Sequence, residues 1–169
     1  MAMRCTRAVP RPLPPPRVRR VDHTNLPIGG PGDGVDAILD SLDPSMVVGS
    51  VVLFLAGDAT IRAALCVNGS APNGDPTSLI EIVRTSIDSS RDIRQIIVAV
   101  IQFDTSITET SLAFQTELDA WAAAAGAWKA DGIDILDVLL LLDDGFVSSA
   151  ESGAPPHPHS GPYRYGTRP

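Results

Sequence analysis

The sequence predicts an α/β domain: a mixed, mostly parallel sheet of about four to five strands with helices on its faces. Three observations predict it. Residues 96–103 form an apolar run (Ile-Ile-Val-Ala-Val-Ile-Gln-Phe) of strand length, rich in β-branched side chains. In the segment that follows, Phe114, Leu118, Trp121, Ala125 and Trp128 step by four, three, four and three, which is one face of a long helix. A second apolar run, residues 133–142, has Asp134 and Asp137 near its start and is unbroken from 138 to 142. An unbroken run implies a strand covered on both faces, as a central parallel strand is. Strand, crossover helix, strand makes one βαβ unit, with the right-handed crossover that such units adopt.

The other elements follow in chain order. Val35, Ile38, Leu39 and Leu42 are spaced i, i+3, i+4, i+7, so residues 34–42 read as a short helix with all four on its buried face, stopped by Pro44. Residues 50–55 (Ser-Val-Val-Leu-Phe-Leu) and 60–67 read as strands joined by the turn Gly57-Asp58-Ala59, an antiparallel hairpin. Asp75 as N-cap and Pro76 at the first helical position open a helix to about Ser89, with Leu79, Ile80, Ile82, Val83 and Ile87 as its buried stripe. Ser106 and Glu109 have capping-box spacing ahead of the long helix. Gly126 sits inside that helix at a cost, and Gly132 is the better stop. Asp143-Asp144-Gly145 is a tight-turn signal that returns residues 146–149 as an edge strand. The predicted order is α-β-β-α-β-α-β-(β), with no internal repeat.

Composition divides the chain into three parts. Residues 1–34 read as a basic, Pro-rich, disordered arm, with Pro10, Pro12, Pro14, Pro15 and Pro16 favouring polyproline II. Residues 35–150 form a single α/β domain, and residues 151–169 a flexible tail of Pro, His and Gly. The net charge is −7, and six arginines with no acid lie in residues 1–20, so removing that +6 leaves −13 for residues 21–169. An acidic body argues against nucleic-acid or anionic-membrane binding by the folded domain, while the arginine arm suits an acidic protein partner. Cys66, inside an apolar run, reads as a small buried core residue, and Cys5 lies in the arm with no fixed position for a disulfide. Thiols of this kind, no membrane-spanning run and no secretory apolar region point to the cytoplasm.

No motif settles a chemistry. The glycines at 29–34 follow no strand and lack a GK[ST] ending, and the Gly69–Gly74 loop leads to a helix whose cap, Asp75, competes with any anion. No nucleophile elbow is present, and Ser148, Ser149, Ser152 and Ser160 read as polar loop residues. No cofactor is assigned. His157 and His159 are a weak metal candidate, set in a Pro-rich tail that supplies no second shell. The best-placed ligand candidates are Asp104, Asp143 and Asp144. Sites in open α/β sheets sit at the carboxyl ends of strands, and parallel neighbours would put all three acids on one edge.

One resemblance enters here. Residues 50–55, the strand 96–103, residues 132–140 (Gly-Ile-Asp-Ile-Leu-Asp-Val-Leu-Leu), Asp144-Gly145-Phe146-Val147-Ser148 and Gly161-Pro162-Tyr163 together resemble the N-terminal half of the uncharacterised, mainly actinobacterial domain of unknown function 4192 family. The likeness covers roughly residues 35–165 and consists mostly of hydrophobic patterning. Where that family carries a cysteine-containing segment this chain has residues 155–159, and the family's second half is missing. The resemblance implies no activity and transfers no catalytic residue.

The reading is therefore a small cytoplasmic α/β binding or protein-interaction module without catalysis of its own. A homodimer through the open hairpin edge is one expected partner arrangement. The rival classes are a hydrolase- or transferase-type enzyme with its cleft at the acidic edge, and a structural or assembly protein, phage-encoded, that uses its basic arm.

Overall fold

The computed structural model describes residues 17–19, 27–42, 45–69, 75–104 and 112–151. Its elements are β1 (Arg17–Arg19), α1 (Pro31–Ser41), β2 (Val48–Leu55), β3 (Ile61–Asn68), α2 (Thr77–Asp88), β4 (Gln95–Gln102), α3 (Leu112–Trp128), β5 (Asp134–Leu142) and β6 (Phe146–Ser148). Short 3-10 turns follow α3 and β6. The six strands make one sheet in the order β1-β3-β2-β4-β5-β6.

The α/β class holds, but the sheet is mixed and mostly antiparallel, which corrects the mostly parallel expectation. Only β4 and β5 pair in parallel; the other four pairings are antiparallel. The reason lies in the second crossover. β3 is antiparallel to β2, and β2 is antiparallel to β4, so β3, β4 and β5 all run the same way. The α2 connection joins β3 to β4 across β2, which stands between them. An unbroken apolar run reports cover on both faces, not the direction of the neighbour. Val51–Leu55 of β2 are buried throughout although both neighbours run against it.

The cover comes from helices on opposite sides. Val52, Phe54, Ile96, Val98, Val100, Val138, Leu140 and Leu142 face α2 and α3 in one cluster with Leu79, Val83, Trp121 and Trp128. The alternate residues, among them Leu53, Ile97, Ala99, Leu139 and Leu141, face α1 through Val35 and Ile38. This is the period-two alternation of a strand used on both sides at once. Of two glycines set against neighbouring elements, one is required by a close approach. A Cβ on Gly34 would stand 3.5 Å from Ile97 Cδ1, ordinary contact between α1 and the sheet. A Cβ on Gly49 would lie 2.4 Å from the Val67 carbonyl oxygen, so only glycine fits that ladder position.

Element faces needed two smaller corrections. α1 starts at Pro31, ahead of the expected boundary, and its buried stripe passes through Gly34, Val35, Ala37, Ile38 and Ser41. Leu39, expected inside, is 37% exposed. On α2, Ile82 was expected in the stripe and is 39% exposed, because Leu79, Val83 and Ile87 already define a seam that position 82 misses. At the start of α2 the cap is Pro76 and the first helical residue Thr77, not Asp75 and Pro76 as expected, and Asp75 Oδ1 accepts the Thr77 N–H at 3.0 Å from just ahead of the cap. Gly132 ends the turn after α3 in the left-handed region, with φ 75°, as its position suggested.

The arm joins the fold at several points. Arg17–Arg19, within the stretch read as disordered, pair with Ala64–Cys66 as the outermost strand of the sheet, and Pro27 bridges to Thr60. Ile28 is buried beside α1. The capping-box residues Ser106 and Glu109, Cys5 and the tail from residue 152 lie outside the described residues. Among the described residues no helix is long and apolar enough to cross a membrane.

Candidate functional site

The carboxyl ends of β3, β4 and β5 share one edge of the sheet, because these strands run the same way. Gln102 pairs with Leu142 across the parallel β4–β5 ladder. Asp104 therefore follows β4 by two residues, and Asp143 and Asp144 follow β5 directly, on the same edge. All three are exposed, in the turns that leave the two strands. Asp75 is on this edge as well, at the entry to α2. Hydrogen bonds from the Thr77 hydroxyl and amide hold its carboxyl below the usual carboxylate range. His157 and His159 lie outside the described residues. Among the described residues no group of three or more His, Cys, Asp or Glu is placed to hold a metal ion.

Two buried carboxyls, not singled out by sequence, lie on β5 and α3 instead. Asp137 is 2% exposed. Its Oδ2 accepts the Ser148 hydroxyl at 2.6 Å, and its Oδ1 accepts the Ser149 hydroxyl at 3.0 Å and the Ala150 N–H at 3.1 Å. Ser149 Oγ also accepts the Val138 N–H at 2.9 Å. The β4–β5 register shifts between Ile96 and Ile97, so Leu136 is an extra residue in β5 and the strand is bulged just before Asp137. The polar residues read as a loop thus form a buried clip that fastens β6 and the turn after it to β5. The signal was present. A hairpin at Asp143-Asp144-Gly145 that pairs Leu141 with Phe146 and Leu139 with Ser148 brings Asp137 to Ala150 by counting alone.

Glu117 is the other buried carboxyl, 6% exposed on α3. Among the described residues its Oε1 has no hydrogen-bond partner, and neither has Nε1 of Trp121, one turn along the same face and fully buried. Burial pushes the Glu117 carboxyl up to about 7. This position was also legible, since it stands three residues after Phe114 and four before Trp121, on the inward stripe. The far end of that face is closed differently. Trp121 and Trp128 meet edge to face with centroids 6.3 Å apart, and the Arg84 guanidinium lies 5.9 Å from the centre of the Trp128 ring. Arg84 is in turn bound by Asp88 and Asp131, each at 3.0 Å.

Chemically, the acidic edge offers exposed negative charge, the Asp137 clip is saturated by its own chain, and Glu117 is a neutralisable acid inside the α3 face. The chain matches no known protein family and no curated protein.

Proposed function

We propose that this chain is a small cytoplasmic protein-interaction module, without catalysis of its own, that takes a partner by strand addition at the outer edge of β3. The observation that carries this reading is β1. An arginine-flanked extended segment, Arg17–Arg19, is paired antiparallel with Ala64–Cys66 at that edge. A row of edge N–H and C=O groups is a template for any extended segment, its own or another's. β1 uses three of the eight residues of β3. The residues before it in sequence are Pro14, Pro15 and Pro16, which bring no N–H to a ladder. A partner strand with donors along its length would compete for the edge. The arginines that flank Val18 favour an acidic partner, and the buried thiol of Cys66, which donates to the Ser41 carbonyl at 3.4 Å, suits a reducing compartment. The family resemblance over residues 35–165 belongs to the same proposal and adds no activity.

The test uses a labelled peptide of residues 12–24 and the full-length chain carrying Val18→Pro. The peptide is expected to bind that chain roughly tenfold or more tightly than the wild type, since proline weakens the occupant already in place. No binding to either chain would discard strand addition.

A second reading, a hydrolase- or transferase-type enzyme, draws on the parallel β4–β5 register that sets Asp104, Asp143 and Asp144 along one edge. It is the weaker of the two because all three acids are exposed.

A further inference from the structure

The inward face of α3 carries a carboxyl that only its neutral form suits. α2 turns Leu79 and Val83 to this face, β4 turns Val98 and Val100, and β5 turns Leu140 and Leu142. The charged groups of these elements are engaged or exposed elsewhere. On α2, Glu81 is exposed and Arg84 is held by Asp88 and Asp131 at the Trp128 end. β4 has no charged residue in its sequence. On β5, Asp134 is exposed and Asp137 is held by Ser148, Ser149 and Ala150. On α3 itself, Asp119 is exposed and accepts the Gln115 amide at 2.9 Å. At the carboxyl edge Asp75, Asp104, Asp143 and Asp144 are exposed acids, and like charge disfavours a further anion.

We propose that Glu117 is a proton-operated release on α3: the first turns of the helix stay packed against the sheet while its carboxyl is neutral and loosen when it is ionised. A neutral carboxyl can stay buried at the modest cost of one unmade hydrogen bond. An anion in the same place needs several donors or a cation. Among the described residues, the buried donor one turn along this face is the unpartnered indole N–H of Trp121, a single group against the three that surround Asp137. The elevation of Glu117 to about 7 places the change within the physiological range. The rest of α3 has a separate hold at its far end, through Trp128, Arg84 and Asp131, so the helix is expected to open from the carboxyl edge and not to leave as a whole.

The test is amide exchange on the full chain, read as protection factors so that the base dependence of the exchange chemistry cancels. The Glu117 carboxyl is followed by carbon NMR in the same samples. From about pH 5 to about pH 8.5 the amides around Glu117 should lose between roughly tenfold and a hundredfold of protection, while those around Trp128 lose less. Glu117→Gln should hold its protection flat over that range. Glu117 titrating near its ordinary value, or titrating near neutrality while the protection stays flat, overturns the proposal. The wild-type titration decides the matter even if the Gln variant folds poorly.

Discussion

Asp137 and Glu117 are both acids, both buried, and both attached to the βαβ unit, yet they are built in opposite ways. Asp137 sits where a bulged strand, a hairpin and a 3-10 turn converge, so two hydroxyls and a backbone N–H point at it. Glu117 sits on a regular helix, whose backbone donors are spent within the helix, and past the bulge the β4–β5 ladder runs regularly from Ile97–Asp137 to Gln102–Leu142 with its donors spent in the sheet. Irregular backbone has N–H groups to give to a side chain, and regular backbone does not. Burial by itself therefore says little about an acid. What decides its role is whether the elements around it have unspent donors.

The strongest way to break the contrast is to remove the clip. Asp137→Ala leaves two buried or half-buried hydroxyls and an N–H without their acceptor, and is expected to cost about 3–4 kcal/mol in urea unfolding at neutral pH. A loss under about 1 kcal/mol would mean that water replaces the carboxylate easily and that the site is not closed.

The next effect is the pH profile of Glu117. Its folded-state carboxyl is raised from 4.5 to about 7, so the folded chain binds this proton more tightly than the unfolded one. The stabilisation is complete below about 4.5, declines as pH rises, and is lost above about 7. At about 1.4 kcal/mol per pKa step the interval corresponds to roughly 3 kcal/mol. Glu117→Gln should remove this slope, so that the variant gains on the wild type as pH rises from about 5 to about 8. Parallel stability curves for the two chains would show that Glu117 is hydrated in the folded state. Asp75 and Asp58 act with the opposite sign. Hydrogen bonds from Thr77 and Thr60 lower them, so their contribution is present above 3.8 and is lost as pH falls.

Ser149→Ala is the finest probe. It deletes one donor to Asp137 and the acceptor of the Val138 N–H, and should cost about 1–2 kcal/mol, less than losing the carboxylate because Ser148 and Ala150 remain. A cost equal to that of Asp137→Ala would make Ser149, rather than the carboxylate, the centre of the clip.

Much of the framework was legible. The α3 stripe through Phe114, Trp121 and Trp128, the strands β4 and β5, the β5–β6 hairpin and the Gly132 stop follow from spacing and turn chemistry that act within a few residues. The candidate site was legible in part. The register puts Asp104, Asp143 and Asp144 on one edge as a parallel β4–β5 pair requires, but they stay exposed. The two buried acids were overlooked because each was read by residue type. Position three after Phe114, or mirrored across Asp-Gly, would have located them.

Periodicity within a run of residues determined which segments are helices and strands, and how many faces each must bury. Strand order was decided only in three dimensions. The same unbroken runs in β2, β4 and β5 suit either neighbour direction, and it took β2 inserted beneath the α2 crossover to make the sheet mostly antiparallel. The fates of Glu117 and Asp137 were decided there too, since a donor is supplied by whatever backbone passes nearby, and no spacing along one segment says which backbone that will be.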